Sequence, residues 1–166
     1  MRFSIITPVF DGCLESLELL YQDLSGQTHK DWIWMLCSDG FSEKMQSFVN
    51  AKKNLDENRI IYIDTKYRQE TNIYCRLADI GKRRNLCIKK ANSDYVFMMD
   101  ADAKILDVDA FRVIDHALCL NPRSICLYKI VHERGSLPIF PITFQRVDLL
   151  NYCVKTSLAK KNRLSD

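Results

Sequence analysis

Two aspartates one residue apart, Asp100 and Asp102, stand directly behind the apolar run Tyr95-Val96-Phe97-Met98-Met99. Carboxylates are hard oxygen ligands suited to Mg²⁺ or Mn²⁺, and such a cation held at Asp100 and Asp102 can carry a diphosphate. On extended chain, residues i and i+2 project to the same side, so the spacing predicts that both carboxylates approach one cation. An unbroken apolar run reads as a strand buried on both faces, and its carboxyl end lies where open α/β sheets bind ligands. Without a cation or hydrogen-bond donors nearby, the two carboxylates would repel each other. A calcium loop of the EF-hand type starting at Asp100 is excluded, because Ile105 occupies its glycine position and Phe111 its glutamate position.

Other chemistry-bearing residues fall at comparable places. Asp39-Gly40 closes the apolar segment Asp31 to Ser38. The dipeptide serves a tight turn, and at a strand's carboxyl end its carboxylate can also accept the imide N–H of a uracil or the donors of a guanine. Arg84 shares a helical stripe with Leu77, Ile80 and Ile88, which turns its guanidinium partly toward the sheet. There it needs an anion, either a phosphate or Asp102. No G-x-S-x-G, Gly-rich phosphate loop or G-x-G-x-x-G exists among the five glycines, so serine-hydrolase, P-loop and Rossmann dehydrogenase chemistry is not indicated.

These residues require a scaffold of alternating strands and helices. Arg2 to Thr7 reads as a strand ended by Pro8, and Leu14 to Leu24 as an amphipathic helix. Asp31 to Ser38, Arg59 to Asp64 and the Tyr95 run read as further strands, with helices over Glu43 to Leu55 and Leu77 to Ala91 between them. Thr65 to Ile73 has no period and reads as a loop, Val108 to Leu120 as a helix, Ser124 to Val131 as one strand, and Phe144 to Val154 as a final helix. The pattern predicts an α/β three-layer sandwich, a mostly parallel sheet with helices on both faces. At 166 residues it is expected to be one domain.

With 24 basic and 21 acidic residues the net charge is +3, which gives no expectation of a nucleic-acid partner. The seven cysteines are odd in number and lack a C-x-x-C pair, so buried reduced thiols are expected. No apolar run reaches the roughly 18 residues of a membrane span. A cytoplasmic protein without a transmembrane segment follows as the expectation, with a peripheral position at the inner face of the membrane and homo-oligomers left open.

Five blocks, in order, resemble the GT-A glycosyltransferases of the large inverting group called family two. They are Ser4 to Phe10 (SIITPVF), Gln27 to Trp32 (QTHKDW), Ser38 to Ser42 (SDGFS), Gly81 to Leu86 (GKRRNL) and Asp94 to Asp102 (DYVFMMDAD). The group reads S-I-I-I-P-V-Y-N, Q-T-Y-K-D-F-E, D-D-G-S, A-R-N and F-L-D-A-D. The match covers about residues 3 to 110. It implies a nucleotide-sugar-binding half over 1–110 and a short acceptor-side part over 111–166.

The resemblance also implies roles. Thr7, Pro8, Val9 and Phe10 would line base and ribose, and Asp39 would recognise the base. Arg84 would stand by the diphosphate, Asp100 and Ala101 near ribose and metal, and Asp102 on Mn²⁺ or Mg²⁺. The implied activity is transfer of a sugar from a nucleotide-diphosphate donor, UDP- ahead of GDP-, to a glycan or lipid-linked acceptor in surface-glycan assembly. Departures are Asp11 for the usual Asn, Ser38 for the first Asp of D-D-G-S, and Phe41 before Ser42. A catalytic base is not evident: Glu133, Asp148 and Asp166 qualify by position alone. Two other readings stand beside this one. A nucleotidyltransferase normally has a basic Gly-rich loop after strand one, absent from Thr7 to Gly12. A nucleotide-sugar-binding module without transfer would need no base.

Overall fold

The computed structural model describes residues 1–38, 40–55, 59–65, 73–128, 130–132, 135–137 and 152–161. Among the described residues, eight strands and five α-helices follow in chain order: β1 Phe3–Val9, α1 Leu14–Gly26, β2 Trp32–Ser38, α2 Glu43–Lys53, β3 Ile60–Asp64, α3 Ile73–Lys90, β4 Tyr95–Met98, α4 Ala110–Leu120, β5 Ile125–Leu127, β6 Ile130–His132, β7 Gly135–Leu137, β8 Tyr152–Lys155 and α5 Thr156–Lys161. The main sheet has the order β3-β2-β1-β4-β8-β5, and β6 and β7 form a separate hairpin pair. Strands β3, β2, β1 and β4 are parallel, whereas β8 lies antiparallel between β4 and β5.

Side-chain alternation along β1 and β2 builds two cores. Phe3, Ile5, Trp34 and Leu36 meet Leu17, Leu20 and Leu24 of α1, Met45 and Val49 of α2, and Phe111 and Leu118 of α4. The other parity, Ile6, Met35 and Cys37, meets Cys87 and Ile88 of α3 and Ala159 of α5. Helices on both faces explain why these strands read as continuous apolar runs rather than alternating ones. The three-layer α/β architecture expected from the sequence is the observed one.

Four expectations need correction. Strand β1 does not stop at Thr7-Pro8: it runs to Val9, with Pro8 opposite Cys37 and Val9 opposite Ser38. The reason lies on the other side. The β4 ladder ends at Met98 opposite Ile6, and Met99 N donates to Ile6 O at 3.0 Å, so even-numbered residues of β1 face β4. Pro8 faces the same way, one step past the end of that ladder, where its missing N–H costs no ladder bond. Ser124 to Val131 is not one strand either, because β5 pairs with β8 and β6 pairs with β7 in different sheets. Residues 152–154 belong to β8 rather than a helix; 144–151 lie outside the described residues. Helix α3 begins at Ile73, ahead of Leu77, while 66–72 of the expected loop are not described.

Candidate functional site

The carboxyl ends of the parallel strands lie on one edge of the sheet, Val9, Ser38 and Asp64 in register and β4 stopping at Met98 opposite Ile6. From β1 the chain proceeds toward β2 and from β4 toward β8 and β5, which makes the β1/β4 boundary the point where strand order reverses. A crevice opens there in doubly wound folds.

The acidic pair sits at this boundary in a different shape from the extended one expected. Ala101 and Asp102 form a turn, closed by Ala103 N donating to Asp100 O at 3.0 Å. Arg84 crosses from α3 to meet Asp100, its Nη2 lying 2.5 Å from Asp100 Oδ1. The partner is therefore Asp100 rather than Asp102. Arg84 is 13% exposed and Asp100 46%, so a mostly buried guanidinium holds a half-exposed carboxylate at the mouth of the crevice. Arg84 Nε is buried without a partner among the described residues. Asp102 is exposed and makes no hydrogen bond or ion pair among the described residues.

On the β1 side, Thr7 is fully buried and its Oγ1 accepts from Trp34 Nε1 at 2.9 Å, so its side chain serves the core. Val9 is likewise buried, whereas Pro8 is half-buried and Phe10 is exposed at the edge. A methyl group at Gly12 would fall 2.6 Å from the Phe10 ring, so Gly12 keeps the space in which that ring rests. Phe10 O also receives Cys13 N at 3.1 Å and Cys13 Sγ at 2.9 Å, which fixes the turn out of β1.

On the β2 side, Asp39 lies outside the described residues, but its surroundings are defined. Ser38 Oγ donates to Gly40 O, and Thr65 Oγ1 donates to Ser38 O. Gly40 has φ +138°, a conformation that L side chains rarely adopt, which accounts for glycine at this turn. Ser42 Oγ then caps α2 by accepting Met45 N at 3.1 Å. Ser38, where the resembled motif has aspartate, thus has its hydroxyl engaged with the loop's own main chain. Glu133, Asp148 and Asp166 also lie outside the described residues.

Residues to which the sequence reading gave no role hold the segment that follows the acidic turn. Gln27 is buried at the end of α1; its Nε2 donates to Asp107 O at 2.8 Å and its Oε1 accepts Phe111 N at 3.2 Å. Thr28 N donates to Val108 O at 2.8 Å and Thr28 Oγ1 to Asp109 Oδ1 at 2.6 Å. Asp23 Oδ2 accepts Ile105 N at 2.9 Å. The Gln27-Thr28 dipeptide carried this signal in the second resembled block, yet its spacing says nothing about which distant segment it binds.

The residues fit a hard cation in one specific way. No cluster of three or more His, Cys, Asp or Glu side chains suited to a metal exists among the described residues. Mg²⁺ and Mn²⁺ sites that act on phosphates commonly take one or two carboxylates and complete their shell with substrate oxygens and water. Exposed Asp102 beside Asp100 provides that minimum.

No protein-family model and no curated protein sequence matches this chain. Its fold does match solved structures. S. aureus TarS 1-349 superposes with a TM-score of 0.76 at 17% identity, over 97% of this chain and 49% of that one. The same protein in complex with UDP-GlcNAc gives 0.71 at 19% identity, over 97% and 47%. The mannosyltransferase PcManGT from Pyrobaculum calidifontis, in complex with GDP-Man and Mn²⁺, gives 0.68 at 13%, over 96% and 46%. A CMP:2-keto-3-deoxy-manno-octonic acid synthetase complexed with CTP gives 0.58 at 9%, over 97% and 77%. The chain spans about half the length of the TarS 1-349 chain. Its architecture is the α/β, Rossmann-like fold of the GT-A neighbours TarS and PcManGT.

Proposed function

We propose that the chain binds a nucleotide-diphosphate sugar at the β1/β4 crevice and belongs to an inverting, metal-dependent glycosyltransferase acting on a glycan or lipid-linked acceptor. The observation that carries this reading is Arg84, a mostly buried guanidinium bound to Asp100 on one nitrogen and unpartnered at Nε, beside the uncommitted Asp102 carboxylate. A buried cation with spare donor capacity at a sheet's ligand-binding edge suits a diphosphate. The TarS and PcManGT complexes, with their UDP- and GDP-sugars, support the donor class.

In this reading Arg84 orients Asp100 toward the ribose side of the crevice, and Asp102 with Asp100 would hold Mn²⁺ or Mg²⁺. A bound cation would neutralise charge on the leaving nucleoside diphosphate. Pro8 and Phe10 offer the exposed surface on the β1 side, and Asp39 the carboxylate for the base. The acceptor hydroxyl needs a carboxylate base, for which Glu133 and Asp148 are the candidates in the acceptor-side part.

Asp102→Asn tests the proposal. With wild type, UDP or GDP at one hundred times its dissociation constant should stabilise the fold by about 2.7 kcal/mol. The substitution should remove most of the Mn²⁺-dependent part of that gain and abolish sugar transfer, while leaving ligand-free stability unchanged within about 0.5 kcal/mol. Unaltered Mn²⁺-assisted binding in Asp102→Asn would remove Asp102 from the metal site. Binding by wild type without transfer to any hydroxyl acceptor would favour the non-catalytic module.

A further inference from the structure

Arg83, the neighbour of Arg84 on α3, makes no ion pair among the described residues. It is 5% exposed, and its one hydrogen bond among the described residues runs from Nε to the Asp79 main-chain oxygen at 3.3 Å. The nearby Asp79 carboxylate lies 3.9 Å from Lys82 instead. A guanidinium carries a permanent charge, and burying one outside an ion pair opposes folding. Such a group is retained where an anion completes it.

Its place in the fold identifies the anion. Cys87 follows Arg83 by one helical turn on the same side of α3, and it is buried in one apolar cluster with Cys37 of β2. Helix α3 links the parallel strands β3 and β4, so it runs antiparallel to both, and one turn toward its start moves about 5.4 Å toward the carboxyl edge of the sheet. Cys37 is already the penultimate residue of β2. Arg83 therefore stands over the end of β2, while Arg84 reaches the end of β4 at Asp100. On this placement Arg83 and Arg84 flank the end of β1, the position assigned above to the donor. Arg84 shares its charge with the Asp100 carboxylate, whereas Arg83 has no carboxylate partner among the described residues and adds a second cation there. In the resembled A-R-N segment the Arg83 position is alanine.

We infer that Arg83 is a donor-positioning residue that binds the diphosphate directly, giving this chain a component of nucleotide-diphosphate affinity that needs no metal. The inference rests on the nucleotide-sugar reading above.

Binding of UDP, GDP and uridine to the whole chain, measured by calorimetry in Mn²⁺ and in EDTA, tests it with Arg83→Met and Arg83→Gln. Wild type should bind a nucleoside diphosphate in EDTA. Arg83→Met should weaken that binding tenfold or more, make it depend on Mn²⁺, and leave uridine binding unchanged. Without ligand, Arg83→Met should melt at or above the wild-type temperature, because an uncompensated buried charge has been removed. Equal binding by wild type and Arg83→Met in EDTA would overturn the inference, as would a wild type that binds only with Mn²⁺. A fall of several degrees in ligand-free melting for both variants would make Arg83 structural and overturn it as well. If wild type binds neither UDP nor GDP under either condition, the donor reading fails first.

Discussion

The main sheet has two unlike sides that meet at β4. On one side, β3, β2, β1 and β4 follow one another through helical crossovers, and β1, β2 and β4 are almost wholly buried. On the other, β8 enters antiparallel from late in the chain, and β5 forms an edge with Ile125 and Leu127 exposed. The parallel side owes its burial to helices on both faces, and its strand ends form the edge proposed above for the donor. The antiparallel side closes the sheet and passes the chain on to β6 and β7. A cluster of rings bridges the two: Phe97 of β4 lies 5.1 Å from Phe3, 5.2 Å from Phe111 and 5.7 Å from Tyr128.

The sharpest challenge to this contrast is Phe97→Ala. Phe97 is fully buried within that cluster, so its truncation should cost about 3–5 kcal/mol in urea unfolding. A loss under about 1 kcal/mol would show that β4 is not the shared core. Leu127→Ala, on the edge strand with Leu127 39% exposed, should change stability by no more than about 0.5 kcal/mol in the same assay. Similar losses at Phe97 and Leu127 would erase the distinction between the sides.

The smallest expected effect concerns the contact between α1 and the start of α4. Arg112, then the Thr28 hydroxyl, hold the Asp109 carboxyl down from its ordinary 3.8 to about 2. Because the folded-state value is depressed, the contribution is present above 3.8 and lost as pH falls toward about 2. Asp109→Asn should therefore flatten the stability profile in that acid window and leave its slope at neutral pH unchanged. A steeper acid limb in the variant would contradict the assignment.

How much was legible follows the same boundary. Strands β1, β2 and β4 declared themselves because two-sided burial leaves few polar interruptions, β3 by its apolar Ile60 to Ile63 although one face is partly exposed, and α1, α2 and α4 because one covered face imposes a helical period. The location of Asp100 at a strand end was likewise readable. Its partner was not, since the choice between Asp100 and Asp102 depends on the turn at Ala101-Asp102 rather than on spacing. Strand β8 was hidden because Tyr152 to Lys155 is short and borrows its pairing from β4 and β5, distant in sequence. The split between β5 and β6 was hidden for a related reason: both halves are apolar, and what separates them is a change of partner. Pro8 misled in the other direction, because its effect on a ladder depends on whether a neighbour strand is still present.

The clasp formed by Asp23, Gln27 and Thr28 has a consequence for inheritance. Residues 103–107 have no helix or strand of their own, and side chains and backbone at the end of α1 hold the segment from Ile105 to Phe111 in place. The segment leading out of the acidic turn thereby borrows its position from a helix about 80 residues earlier in the chain. Variation at the end of α1 should be filtered for its effect on Asp102 as well as on the core. Any graft of the acidic turn into another scaffold would have to carry that helix end with it.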